Sequence, residues 1–478
     1  MRFSAGEVAE YAKGSLAVAP AEAEMTFEGI TWDSRAVKPR DLYAALPGER
    51  VNGHAFIAAA LRAGAMGALV SEEPNEEALA AAQELGAAIV HVQDVRAAIV
   101  DLARAWRNRL EGTVIALTGS TGKTTTKNLV RDVASSAFRV VATQGNQNNE
   151  LGVPNTILRA DVDTQVVVTE MGMRGSNQIA ALCEFVRPDW GIINNVGDAH
   201  IELLGSREAI ACAKTELFEG LRDGVGIAFA NAADDYCDFA CERAELDARG
   251  VRTVYFNGER GECCVWATDA VLDAQGCPSF TLHARGFGAG DEQQDCHMVL
   301  RGMHNVSNAC AAAAVGRTLG IPLAQVADAL AHALPEDGRQ VVVQTADGVS
   351  VIDDTYNANP DSMMASLRMF ASMEVAGRRI AVLGDMAELG DYAPALHARI
   401  GEGVAELPID YLICCGTLAR NIADSAKNAG MSGETIVCAD TIAQVLEQLK
   451  AILAPGDAVL AKASNCMNLK QVVKGLVE

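Results

Sequence analysis

TVIALTGSTGKTTT, residues 113–126, joins an apolar run of strand length to a glycine turn and then to a helix-forming stretch that begins at Lys123. That order opens an α/β unit whose strand is buried. The glycines let the backbone turn tightly, so that several N–H groups and a helix N-terminus face an anion. Lys123 adds positive charge, and the Thr124 hydroxyl can reach a divalent cation. Gly119, Ser120, Thr121, Gly122, Lys123, Thr124 and Thr125 are therefore candidates for holding a polyphosphate such as ATP. The full pattern G-x-x-x-x-G-K-[ST] is not met, because Leu117 stands at its first glycine position and only G-x-x-G-K-T from Gly119 remains. A strand-to-helix turn without a ligand is the alternative reading of the loop alone.

Outward from this stretch the same alternation of short apolar runs and amphipathic segments continues almost from end to end, which predicts α/β architecture with parallel sheets. Three blocks separate, at 1–93, 94–334 and 335–478. The first holds the strand-like ALVSEE and AAIVHV with an Ala-rich helix near 76–86. The second opens with the helix-period VRAAIVDLARAWRNRL and continues through QVVVTEM, WGIINNV and GVGIAFAN. Pro335 and Gly338 interrupt any regular element and mark a hinge. Beyond it a hairpin is expected, VVVQT and VSVID around Asp347-Gly348, followed by the strands of RRIAVLGD, DYLICCG, ETIVCAD and DAVLAKAS. GFGAGD near residue 286 lacks the third glycine of a dinucleotide fingerprint and reads as a hairpin loop.

The chain has 478 residues and a formal net charge of −23, and half of it is apolar. This is material for about three packed domains, and it excludes a disordered, collagenous or coiled-coil chain. The acidic balance argues against nucleic-acid binding. No membrane-inserting run and no export signal are read, and the 13 scattered cysteines without C-x-x-C spacing suit a reducing cytoplasm.

Glu170 ends VVVTE and His200 follows the next strand, so both fall where ligands of open α/β sheets gather. Together they could hold a divalent cation against ATP; singly, a solvated Glu and a hydrogen-bonded structural His are the commoner readings. Lys214 shares a helical face with Ile210, Leu217 and Leu221 in a helix from Ser206 to about Leu221, so it points toward the core. Either its ammonium snorkels outward, or desolvation leaves a neutral, nucleophilic amine open to chemistry or modification.

Taken together, Asp33-Ser-Arg35, DLYAALPG, GHAFI, TGSTGKTTT, GNQNNELGVP from Gly145, TEMG, VGDAHIE, AKTELF, GMHNVSNACAA from Gly302, DDTYNANPDSM from Asp353 and VLGDMAELG from Val382 make the chain resemble the Mur ligases over nearly its whole length. The phosphate loop is common to that family and to folylpolyglutamate synthetase. GNQNNELGVP, DDTYNANPDSM and GDMAELG are similar to the branch that adds a dipeptide. The resemblance implies an N-terminal α/β domain for a UDP-sugar, a central P-loop-type ATPase domain and a C-terminal Rossmann-like domain for the incoming amine. It implies that ATP phosphorylates the carboxylate of UDP-N-acetylmuramoyl-tripeptide, that D-alanyl-D-alanine attacks the acyl phosphate, and that a cytoplasmic monomer does this work.

The resemblance further implies roles residue by residue. Lys123 and Thr124 would hold the ATP phosphates and one Mg2+, with Glu170 and His200 as further metal ligands. Lys214 matches the lysine carrying a CO2-derived carbamate, which would serve a second Mg2+. Asn305 and Asn308 match adenine-side asparagines, where helix-capping amides are the alternative. Arg339 and Asp354 match residues near the ribose and phosphates; the pair Asp353-Asp354 could also be mere strand-end solvation. Ser34 and Arg35, with Asn148 and Asn149, fall to the UDP-substrate. Tyr356, Asn357 and Asn359 would line the dipeptide site, with Lys462 and Ser464. Where the family shows K-G-S-R this chain reads Lys462-Ala463-Ser464-Asn465, and a later M-E pair is Leu469-Lys470, so a carboxylate-binding fork is missing. A sister ligase adding a single amino acid and a non-catalytic nucleotide-binding scaffold are the competing functions.

Overall fold

The computed structural model describes residues 1–48, 51–288 and 290–477. Among them three larger mixed or parallel sheets follow one another along the chain. The first orders its strands Ser15–Val18, Ala88–His91, Gly67–Val70, Asp41–Ala44, Gly29–Thr31, parallel except for the first. The helix expected near 76–86 is Glu76–Leu85, capped by Asn75.

The central sheet runs Glu292–His297, Pro278–Arg285, Cys264–Leu272, Arg252–Phe256, Ile227–Asn231, Trp190–Ile193, Thr113–Thr118, Val166–Glu170, Val140–Ala142. From Cys264–Leu272 onward every neighbour pairs parallel. Its middle strands are buried almost throughout and mostly apolar because helices cover both faces. Residues 286–291 connect two antiparallel neighbours, as the hairpin reading of GFGAGD required; Ala289 lies outside the described residues.

The third sheet runs Val341–Gln344, Ser350–Asp353, Ala458–Lys462, Arg379–Gly384, Tyr411–Cys415, Ile436–Ala439. The expected hairpin about Asp347-Gly348 is its antiparallel edge. The other neighbours are parallel, so their carboxyl ends open on one side.

These units share one packed interior. Phe3 meets Trp106 edge-on at 5.2 Å, placing the chain's first strand on helix Val95–Arg107. The largest apolar cluster continues from there through Val114 and Met171 to Leu367 and Leu383. All 13 cysteines are free, and among the described residues no helix is long and apolar enough to cross a membrane.

Candidate active site

Strand Thr113–Thr118 lies between Val166–Glu170 and Trp190–Ile193. Its loop, the end of Val166–Glu170 and the turn after Trp190–Ile193 therefore converge. Gly122 starts helix Lys123–Ser135 at φ +71, and a Cβ there would lie 2.6 Å from Asn308 Oδ1, so only glycine fits. The Lys123 ammonium donates to Gly119 O at 2.7 Å and curls over the loop. Burial lowers its pKa, while Glu170 opposes that shift. A desolvated cation whose surface still opens on a cavity is what a phosphate would neutralise.

Asn195 completes the loop from the neighbouring strand end, its Oδ1 accepting from Ser120 N at 3.1 Å and Thr121 N at 2.9 Å. Asn194 Nδ2 donates to Thr126 Oγ1 at 2.7 Å. Neither asparagine was singled out by sequence reasoning, although both lie in the quoted GIINNV, where amides after a buried strand were the available signal.

A cavity of about 1360 Å³ opens here. The loop residues Ser120–Thr125 line it with Glu170, His200, Asn305, Asn308, Arg339, Asp354, Tyr356, Asn357, Asn359, Lys462 and Ser464, which is most of the expected site. Glu170 is buried; Asn148 Nδ2 donates to its Oε1 at 2.8 Å, and its Oε2 has no partner among the described residues. An orphaned carboxylate oxygen beside a phosphate loop fits a hard divalent cation. No cluster of three or more His, Cys, Asp or Glu is arranged for a metal among the described residues, so beyond Glu170 and His200 Mg2+ would draw its ligands from Thr124 and the nucleotide.

Arg339, across the hinge, donates to Thr124 Oγ1 at 2.9 Å and stacks 4.1 Å over the Tyr356 ring. Tyr356 thus borders the phosphate side of the cavity as well as the side expected for the dipeptide. Asn308 accepts from Thr126 Oγ1 and donates to Asn305 Oδ1 at 2.9 Å, while Asn305 Nδ2 binds Arg301 O. These amides therefore buttress the loop in addition to facing the cavity. The capping alternative is not met, since Met303 precedes helix His304–Thr318 without a side-chain cap.

On the C-terminal side, Lys462 Nζ lies 2.7 Å from Asp354 Oδ2 and 3.0 Å from Asn357 O. Ser464 Oγ bridges Ala358 O and Ala387 N. Asn359 caps helix Pro360–Ser372, its Oδ1 accepting from Ser362 N at 2.9 Å, so only its amide nitrogen is free for a ligand. Asn465, in the family's arginine position, donates to Tyr356 O at 3.1 Å.

Lys214 is buried in helix Arg207–Glu219, as its apolar face required, and it does not line the cavity. It makes no hydrogen bond or ion pair among the described residues; burial, and then Lys123, push its pKa well down. The snorkelling alternative is not met, since the side chain is 1% exposed.

The four residues expected for the UDP-substrate divide. Asn148 and Asn149 line the cavity, and Asn149 Oδ1 also caps helix Gly152–Arg159 through Gly152 N at 3.0 Å. Ser34 and Arg35 do not line it; Arg35 is exposed and folded onto Asp33 by two hydrogen bonds of 2.9 Å. Burial and nearby Lys123 lower the His200 pKa, while Glu388, bonded to its Nδ1 at 2.5 Å, opposes the shift.

Residues 26–107 match the family model described as Mur ligase family, catalytic domain; 117–316 match the Mur ligase middle domain; and 338–465 match the Mur ligase, glutamate ligase domain. The UDP-N-acetylmuramoyl-tripeptide–D-alanyl-D-alanine ligase of Mycobacterium tuberculosis is 38% identical over 100% of this chain and 98% of its own length. The enzyme of that name from Escherichia coli is 33% identical over 95% of each. Among solved structures, MurF from Acinetobacter baumannii superposes with a TM-score of 0.84 at 29% identity, covering 100% of this chain and 99% of the other. MurF ligase from Thermotoga maritima in complex with ADP gives 0.75 at 27%, covering 94% and 96%.

Proposed function

Because the chain belongs to the Mur ligase family, we infer that it is the ATP-dependent ligase joining D-alanyl-D-alanine to UDP-N-acetylmuramoyl-tripeptide in peptidoglycan synthesis. The observation that carries this reading is that one cavity is lined both by the phosphate loop and by Tyr356, Asn357, Lys462 and Ser464 at strand ends of the third sheet. A nucleotide and an acceptor amine can meet there.

The chemistry follows from the groups present. A carboxylate is a poor electrophile, so one of its oxygens first takes the γ-phosphoryl of ATP; the dipeptide amine then attacks the acyl carbon and phosphate leaves with that oxygen. The N–H groups of the loop, Lys123 and Arg339 hold and align the phosphates. Thr124, Glu170 and His200 would hold Mg2+, which when bound screens the phosphate charge against the approaching carboxylate. Burial lowers the Lys214 pKa and so favours the neutral amine, which would add CO2 with release of a proton to give a carbamate whose oxygens would serve a second Mg2+. Asn305, Asn308 and Asp354 border the nucleoside end.

The division of labour is residues 1–93 for the UDP-sugar, with Ser34 and Arg35 at the uridine end and Asn148 and Asn149 toward the peptide; 94–334 for ATP; and 335–478 for the dipeptide, held by Tyr356, Asn357, Asn359, Lys462 and Ser464. One chain supplies all three blocks, which supports action as a monomer. Use of nucleotide-linked substrates and ATP supports a reaction in the cytoplasm.

Mass spectrometry of the product tests the assignment. With both dipeptide and single amino acids offered, the tripeptide substrate should gain the dipeptide less one water. Gain of one amino acid would assign a sister ligase, and no adduct alongside ATP binding would assign a scaffold.

A further inference from the structure

Glu388 belongs to the GDMAELG segment after strand Arg379–Gly384, yet its carboxylate reaches into the central block. Its Oε2 lies 2.5 Å from His200 Nδ1 and its Oε1 lies 3.3 Å from Arg174. The contact is part of a seam between the segment at 198–205 and that at 388–399. Tyr392 donates to Gly205 O at 3.0 Å, and Arg399 pairs with Asp198 at 3.2 Å.

Two features set the Glu388–His200 contact apart from an ordinary surface pair. Both residues hold left-handed backbone, His200 at φ +65 and Glu388 at φ +61. Such strain in non-glycine residues persists only where surroundings over-determine it, and it concentrates at functional sites. Both also line the cavity beside Lys123 and Glu170. With Nδ1 bound to the carboxylate, the Nε2 nitrogen is the one left for the reacting groups. A ring whose second nitrogen is tied to a carboxylate is fixed in tautomer and orientation.

We propose that Glu388 is a positioning residue of the ligase reaction, fixing the His200 ring so that the site is complete only when the C-terminal block is seated on residues 198–205. This rests on the ligase reading above. It adds a structural reason why the chemistry would wait for closure, since the residue that sets His200 is 188 positions away and carried by another sheet.

The first test needs no substrate. Histidine-selective NMR on the unliganded protein, with the His200 signal identified by its loss in His200→Gln, should show the Nδ1–H tautomer in the parent and a tautomer mixture in Glu388→Ala. The second test is kinetic. Glu388→Ala should lower kcat about 10- to 100-fold with the KM for ATP nearly unchanged. Glu388→Gln, whose amide oxygen accepts the same N–H, should keep most of kcat and shows that the segment still folds. The double variant His200→Ala/Glu388→Ala should be no slower than His200→Ala alone. An unchanged tautomer, parent-like kcat in Glu388→Ala, equal losses in Glu388→Gln and Glu388→Ala, or losses that multiply in the double variant would each overturn the proposal. A parent that makes no product would instead overturn the ligase reading, and the tautomer result would stand apart from it.

Discussion

Replacing Lys462 by methionine removes one partner of the most enclosed ion pair at the junction of hinge and third sheet. The two side chains are 3% and 10% exposed and sit 2.7 Å apart. At an effective dielectric of about 20 their attraction is about 6 kcal/mol, and the cost of taking both ions out of water is of the same order, so the intact pair adds little net stability. Losing one partner is different. Asp354 would keep only the Ser366 hydroxyl, and the Asn357 carbonyl would lose its donor at 3.0 Å. An uncompensated buried charge costs about 3–5 kcal/mol. Urea unfolding at neutral pH should show that loss for Lys462→Met, and the added change Asp354→Asn should recover most of it. A loss below about 1 kcal/mol, or a double variant as unstable as the sum of the singles, would refute the claim that the pair is buried and mutually dependent.

Burial lowers the His304 pKa to about 4, with Asp354 opposing and Lys462 reinforcing the shift. The unfolded state then binds the extra proton between pH 6.5 and 4, so stability falls as pH drops through that window. Because the ring also faces the cavity, we expect about 1–2 kcal/mol, read as a shallower pH dependence of urea unfolding in His304→Gln. Labelled bicarbonate should give a carbamate carbon resonance in the parent and none in Lys214→Arg, which should also lose turnover; a signal kept in the variant would remove Lys214 from that role. Asn195→Ala deletes three side-chain hydrogen bonds to the loop, two accepted from Ser120 N and Thr121 N and one donated to Thr121 O, and should weaken ATP binding by about tenfold or more in calorimetry, while unchanged affinity would show that the loop holds itself.

The local signals were legible because each is written within a few residues: the glycine turn before Lys123, the carboxylate ending a buried strand, the apolar face around Lys214, the hairpin at Asp347-Gly348. What closes the site is not local. Arg339 reaches Thr124 over 215 residues, Thr126 meets Asn308 over 182, and His200 meets Glu388 over 188. No periodicity encodes such pairs, since they exist only once segments far apart in the chain pack together. The same limit hides that Asn148, expected with Asn149 at the UDP-substrate, also binds Glu170 through its amide. It also hides that Asn305 and Asn308, which read as adenine-side or helix-capping amides, hold the loop.

The central claim is that ATP activates the peptide carboxylate by phosphorylating it. Carrying a heavy-oxygen label in that carboxylate through one turnover with ATP and D-alanyl-D-alanine tests it directly. The account predicts that the released inorganic phosphate carries one labelled oxygen, and that release requires all three substrates. Label found in AMP, or lost to water while unlabelled phosphate is released, would contradict it.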